Sequence, residues 1–194
     1  MSSARPKNIA QDRTTRLEEL LDRQDILDCL TRFSRGMDRF DRALFLSAFH
    51  EDATIAAGPF VGGAAALYDW ASALHEQGQR ATHHNLTNHT CEIDDDVAHA
   101  ETYYLFVGRN RDDSNWIAGG RYIDRLERRD GSWRIALRTN AIEWSGMVPT
   151  LPIPFAEVPD LHIDGAPSRS KDDPSYQRPL TNRRKAHVPT RGDM

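Results

Sequence analysis

From Thr15 to Met37 the apolar residues Leu17, Leu20, Leu21, Leu27, Leu30, Phe33 and Met37 recur mostly at three- and four-residue steps, the spacing of one helix face. Thr15-x-x-Glu18 reads as a capping box ahead of them. Gly36 marks either a place where another element packs close or the end of the helix. A second, short helix is expected from about Asp41, burying Leu44, Phe45, Ala48 and Phe49. Thr54 to Ala57 is a small-residue strand, stopped by Gly58-Pro59. Gly62-Gly63 opens a third helix, about 64–79, with Leu67, Trp70, Ala71 and Leu74 inward. Residues 83–93, 97–108, 116–128 and 133–144 then read as long strands. Asp94-Asp95-Asp96 and Asp130-Gly131 separate them, the second as a hairpin turn. The order ααβαββββ predicts an α+β fold in which N-terminal helices cover one face of a curved antiparallel sheet and enclose a cavity.

The tail departs from this pattern. Most of the ten prolines and the basic run Asn182-Arg183-Arg184-Lys185 follow residue 148. The expected organisation is a flexible lead over 1–14, one domain over 15–147 and an extended tail over 148–194. Two readings of the tail stand. It is a disordered appendage, or its apolar Val148, Leu151, Ile153 and Phe155 close the cavity mouth or cross onto a neighbouring subunit.

Charge narrows the partners. Lys plus Arg number 25 and Asp plus Glu 29, a net charge of −4, which gives no global attraction to nucleic acid or an anionic membrane. No apolar run approaches the roughly 18 residues of a membrane span, and the polar N-terminus lacks a secretory signal. Cys29 and Cys91 read as buried thiols rather than a disulfide framework. A cytoplasmic setting is expected.

Asp38 and His84 are the candidate catalytic pair. Asp38 follows Met37 at the border of the apolar stripe. It is either a solvated helix-end carboxylate or an acid turned into the cavity to orient and charge His84. His84 shares a strand face with Leu86 and Asn88, and imidazole transfers protons in both directions near neutral pH. It is either a hydrogen-bonded core histidine or the acid–base group. His83, His84 and His89 do not make a metal site on this reading: adjacent strand residues point to opposite faces, and no Cys or carboxylate stands at ligand spacing. No metal and no cofactor is expected. Alternation puts Tyr103 with His99, Glu101, Leu105 and Val107, Tyr122 with Trp116, Ala118 and Gly120, and Trp144 with Arg138, Asn140 and Ile142. Tyr103, Tyr122, Asn140, Asn88 and Trp144 are the candidate substrate-binding residues, with simple β-packing the competing account of the tyrosines. Asp124 and Arg138 read as a cross-strand ion pair.

Several segments together resemble the SnoaL-like branch of the nuclear-transport-factor-2-like superfamily. They are Arg35-Gly36-Met37-Asp38-Arg39-Phe40-Asp41, Phe49-His50-Glu51-Asp52-Ala53, His84-Asn85-Leu86-Thr87-Asn88, Ala98-His99-Ala100-Glu101-Thr102-Tyr103, Gly120-Arg121-Tyr122-Ile123-Asp124-Arg125 and Asp130-Gly131-Ser132-Trp133-Arg134-Ile135. The resemblance implies a cone-shaped α+β barrel with a deep pocket, in a dimer or trimer. Within that superfamily the chain is similar to scytalone dehydratase, whose acid–histidine pair falls on Asp38 and His84. It departs from that enzyme at Met37 and Ala57, where tyrosines are expected, and at about Val107, where a second histidine is expected. It is also similar to the sphingomonad diarylpropane γ-formaldehyde lyases.

The resemblance implies a cofactor-independent lyase acting on a hydroxylated, lignin-derived aromatic. The reaction it implies is deformylation of a diarylpropane diol to a stilbene, with release of formaldehyde and water. Plain dehydration or isomerisation is the alternative within the enzyme class. A ligand-binding module or an oxygenase β-subunit-like support is the alternative outside it.

Overall fold

The computed structural model describes residues 9–152 and 156–186. Ile153 and Phe155 of the tail, and residues 1–8 of the expected flexible lead, lie outside them. Helix α1 (Ile9–Asp38) is already running at Thr15, so the Thr15–Glu18 pair does not start it. Its apolar stripe also divides. Ile26, Cys29, Leu30, Phe33 and Met37 are buried, whereas Leu17, Leu20 and Leu21 are more than half exposed. The six-residue step from Leu21 to Leu27 is where the periodicity slips. At about 100° per residue, the first three leucines lie on the opposite side from Phe33.

Helix α2 (Arg42–Leu46) is capped by Asp41, whose carboxylate accepts from the Leu44 N–H at 3.2 Å. Gly36 serves its packing role. A Cβ there would stand 2.5 Å from the Phe45 backbone nitrogen, so the two helices cross only because that carbon is missing.

Strands β1 (Phe49–Ala57) and β2 (Phe60–Gly62), helix α3 (Ala64–Gly78), and strands β3 (Gln79–Asp94), β4 (Val97–Asn110), β5 (Asn115–Arg129) and β6 (Ser132–Val148) follow. The sheet order is β2-β1-β6-β5-β4-β3. β1 runs parallel to β6, so the sheet is mixed, not purely antiparallel as expected, and it does not close on itself. β2 has three residues, too few for a hydrophobic period to reveal. At the β5–β6 turn Asp130 and Gly131 both have left-handed φ, 52° and 70°, the geometry a two-residue hairpin needs.

The core fills the concave side of the sheet. Phe33, Phe45, Phe49, Tyr68, Leu126, Trp133 and Ile135 are among its buried members. The tail folds back on its own chain. Buried Asp173 accepts from the Ser168 and Ser175 N–H groups, Tyr176 donates to Asp41 at 2.9 Å, and Lys171 pairs with Asp41. Among the described residues no helix is long and apolar enough to cross a membrane.

Candidate active site

The cavity occupies about 470 Å³ between the concave sheet and helices α1 and α3. That is within the range of small-molecule sites. Its walls are mostly apolar: Met37, Ile55, Leu67, Trp70, Phe106 and Trp116 among others.

Asp38 and His84 meet at its edge. β3 is an edge strand, so part of its backbone lacks a strand partner. Helix α1 supplies the missing groups. Ser34 donates its hydroxyl to the His84 carbonyl at 2.7 Å, and the His84 N–H donates to Asp38 Oδ2 at 2.8 Å. The other carboxylate oxygen, Oδ1, lies 2.6 Å from His84 Nδ1. One carboxylate therefore fixes the backbone and the ring of the same residue. Both side chains are nearly buried, 10% and 13% exposed. Burial pushes the Asp38 carboxyl up, but its hydrogen bonds and charge interaction with His84 outweigh this and hold it below the usual range. An ionised Asp38 must accept from Nδ1–H, so that in the neutral ring the lone pair lies on Nε2. His84 lines the cavity, with Phe106 and Phe33 against its ring at 4.9 and 6.1 Å between centroids.

The polar groups facing this pair come from β4, β5 and β6. Tyr122 and Asn140 line the cavity, as alternation predicts. Tyr104 stacks on Tyr122 at 4.5 Å, and burial pushes both phenols above their ordinary range. Arg138 and Asp124 form the expected ion pair, bidentate at 2.7 Å for both bonds and fully buried. Arg138 is also a cavity residue. Its guanidinium is clamped between Phe33 and Tyr122, 4.1 and 4.2 Å from their centroids, and its Nη1 has no hydrogen-bond partner. Asn140 Oδ1 is likewise buried and unpartnered.

Three expected binding residues lie outside the cavity. Tyr103 is on the convex face, 42% exposed. The even positions of β4 face inward: Ala98, Ala100, Thr102, Tyr104 and Phe106 are all buried. The small residues at 98 and 100, against His99 and Glu101, carried that signal, while Leu105 and Val107 obscured it. Asn88 is exposed because β3 bulges: Leu86 pairs with Tyr104 but His89 with Thr102. The extra residue switches inward parity from 84 and 86 to 89, 91 and 93. Trp144 fails for the same reason. Gly120 pairs with Ile142 and Gly119 with Trp144, so Glu143 is the extra residue. The indole then lies outside over Gly119, where a Cβ would stand 2.3 Å from its ring.

The sequence reading missed His75. It sits in the last turn of α3 and lines the cavity, with its ring 5.6 Å from that of His84. Burial lowers its pKa to about 4, so it is neutral at physiological pH. No described tail residue lines the cavity. Instead Arg169 passes behind His75, donating to its carbonyl at 2.9 Å and stacking on Phe40. Cys29 and Cys91 are buried free thiols. Among the described residues no three His, Cys, Asp or Glu side chains cluster as metal ligands.

The family model of SnoaL-like domains matches residues 18–139, from the first helix to the strand that carries Arg138. Several solved structures share the fold. A type-3 hexachlorocyclohexane dehydrochlorinase from Novosphingobium barchaimii superposes with a TM-score of 0.64 at 19% identity, covering 71% of this chain and 97% of its own. A scytalone-dehydratase-like protein from Novosphingobium aromaticivorans gives 0.61 at 20% identity, covering 71% and 97%. A Mycobacterium tuberculosis protein of unknown function gives 0.58 at 25% identity, covering 64% and 77%. No curated protein sequence matches the chain.

Proposed function

The chain belongs to the SnoaL-like family, and on that premise we propose that it is a cofactor-independent lyase acting on a hydroxylated aromatic. The observation that carries the reading is the carboxylate-held imidazole, with Nδ1 2.6 Å from Asp38 and Nε2 left for the greasy chamber. Dehydrochlorinases and a scytalone-dehydratase-like protein share the fold. Eliminations of that kind need a positioned base and hydrogen bonds to a departing group.

The substrate we propose is a diarylpropane-1,3-diol, the class that the resemblance implies. His84 Nε2 removes the proton of the primary hydroxyl. The C–O bond becomes a carbonyl as the adjacent C–C bond breaks, releasing formaldehyde. The electron pair of that bond forms the new alkene, and the benzylic hydroxyl departs, with a proton, as water. Asp38 keeps the ring oriented and stabilises imidazolium, which returns its proton to the departing oxygen. Tyr104, Tyr122, Asn140 and Arg138 Nη1 hold the substrate oxygens. The aromatic walls, Phe106 and Trp116 among them, receive the rings. A well-placed acid–base group contributes about 10²–10⁴-fold to rate.

Incubation with diarylpropane diols and polyhydroxylated aromatics, followed by product analysis, tests this. Equal amounts of formaldehyde and stilbene support deformylation. Alkene without formaldehyde supports plain dehydration. An aromatic that binds and returns unchanged refutes the lyase reading. The proposal extends to a homo-oligomer, because Tyr103, Leu105, Ile123, Leu137 and Trp144 form an exposed apolar set on the outer sheet face. Light scattering that returns a monomer mass would refute that part.

A further inference from the structure

His75 is held by a chain of hydrogen bonds that runs from the cavity to the surface. Its Nδ1 lies 3.0 Å from Gln79 Oε1. Gln79 Nε2 donates to Asn110 Oδ1 at 3.2 Å, and Asn110 Nδ2 donates to Ser114 Oγ at 2.9 Å. Ser114 Oγ donates to Asp112 Oδ1 at 2.6 Å. The last group sets the direction of all the others. A carboxylate only accepts, so the Ser114 hydroxyl must donate to it and accept from an amide N–H. Asn110 must then present its oxygen to Gln79, and Gln79 its oxygen to His75. His75 is obliged to carry its proton on Nδ1.

The Nε2 lone pair of His75 makes no hydrogen bond to any described residue, on a ring that lines the cavity. His84 is fixed in the same tautomer by Asp38. The chamber therefore presents two imidazole acceptors whose rings are 5.6 Å apart. A single hydroxyl satisfies one of them.

We infer that His75 is a specificity-determining residue whose Nε2 accepts a hydrogen bond from a second hydroxyl of the substrate, carried two carbons along the chain from the first, as in a 1,3-diol. The inference deepens the lyase reading and rests on it for the role of His84. It assigns the benzylic hydroxyl to His75 while His84 takes the primary one. The phenyl ring of Phe106, stacked on His75 at 5.5 Å, keeps that imidazole in place.

The test compares 1,2-diphenylpropane-1,3-diol with 2,3-diphenylpropan-1-ol, which lacks the benzylic hydroxyl. Both are titrated calorimetrically against His84→Gln protein, in which chemistry is blocked, and against the same protein carrying His75→Phe. The first protein should prefer the diol by about tenfold, the penalty for leaving an acceptor unpaired once the bound compound excludes water from it. His75→Phe should bring the two affinities within about twofold of each other, and His75→Gln should restore part of the preference. Nitrogen-15 spectra of the wild-type protein should show His75 protonated on Nδ1, a readout that needs no variant to fold. Equal affinities in the His84→Gln protein, no binding of either compound, an undiminished preference in the His75→Phe protein, or a proton on Nε2 of His75 would each overturn the inference. Failure of the wild-type protein to convert the diol strikes the lyase reading instead, since the affinity comparison requires no turnover.

Discussion

Replacing Asp38 by Asn alters one atom and separates geometry from charge. The carboxylate accepts twice, from His84 Nδ1 at 2.6 Å and from the His84 backbone N–H at 2.8 Å. An amide has one acceptor, so it cannot accept from both groups at once. With its oxygen on Nδ1–H, its NH₂ confronts the backbone N–H. That leaves a buried donor unsatisfied at a cost of about 1–3 kcal/mol. With its oxygen on the backbone, its NH₂ donates to Nδ1, and the proton of His84 must move to Nε2. The second arrangement keeps both bonds and destroys the base. A preference of about 1–3 kcal/mol leaves the competent tautomer in roughly one molecule in five to one in 150. Loss of the charge that stabilises imidazolium adds to this. The expected fall in kcat is about 10²–10⁴-fold, with a cost to folding smaller than the about 1–3 kcal/mol of an unsatisfied buried donor, because the favoured orientation keeps both bonds. Formaldehyde release gives kcat, and nitrogen-15 spectra give the tautomer. Turnover within about threefold of wild type, with Nδ1 still protonated, would refute the reasoning.

Other outcomes follow from the same geometry. Tyr104→Phe should lower kcat/KM about tenfold by removing one hydroxyl from the cavity, while Tyr103→Phe, on the convex face, should leave steady-state kinetics unchanged. Arg138→Met strands the buried Asp124 charge and should cost about 3–5 kcal/mol in chemical denaturation, most of it recovered by adding Asp124→Leu. His75 makes stability depend on pH. Its folded pKa of about 4 lies below the ordinary 6.5, so between those values the unfolded chain binds the extra proton. Stability should fall as pH drops from about 6.5 towards 4, by at most about 3 kcal/mol. Denaturation of His75→Gln at about pH 7.5 and 5 should show a smaller difference than wild type.

The amphipathic helices, the hairpin turn at Asp130-Gly131 and the four long strands were legible because each rests on a local period or a local φ requirement. The pair Asp38 and His84 was legible for a related reason: a carboxylate at the border of a buried helix stripe, and an imidazole on a strand face shared with Leu86. What failed was parity. A strand pattern says which residues share a side, and bulges at 87–88 and Glu143 exchange the sides without leaving a mark in composition. Asn88 and Trp144 were lost that way. Tyr103 was lost because both faces of β4 carry apolar residues, the outer one with Leu105 and Val107. The parallel pairing of β1 with β6 joins strands about 80 residues apart, beyond the reach of any local signal. His75 was invisible because its partners, Gln79, Asn110 and Ser114, become a chain only when α3 and the β4–β5 turn meet.

His84 is the proposed base, and single-turnover formaldehyde release from 1,2-diphenylpropane-1,3-diol by His84→Ala protein tests that role most directly. With the fold intact by circular dichroism, the rate should fall about two to four orders of magnitude below wild type. A rate close to wild type would contradict the account.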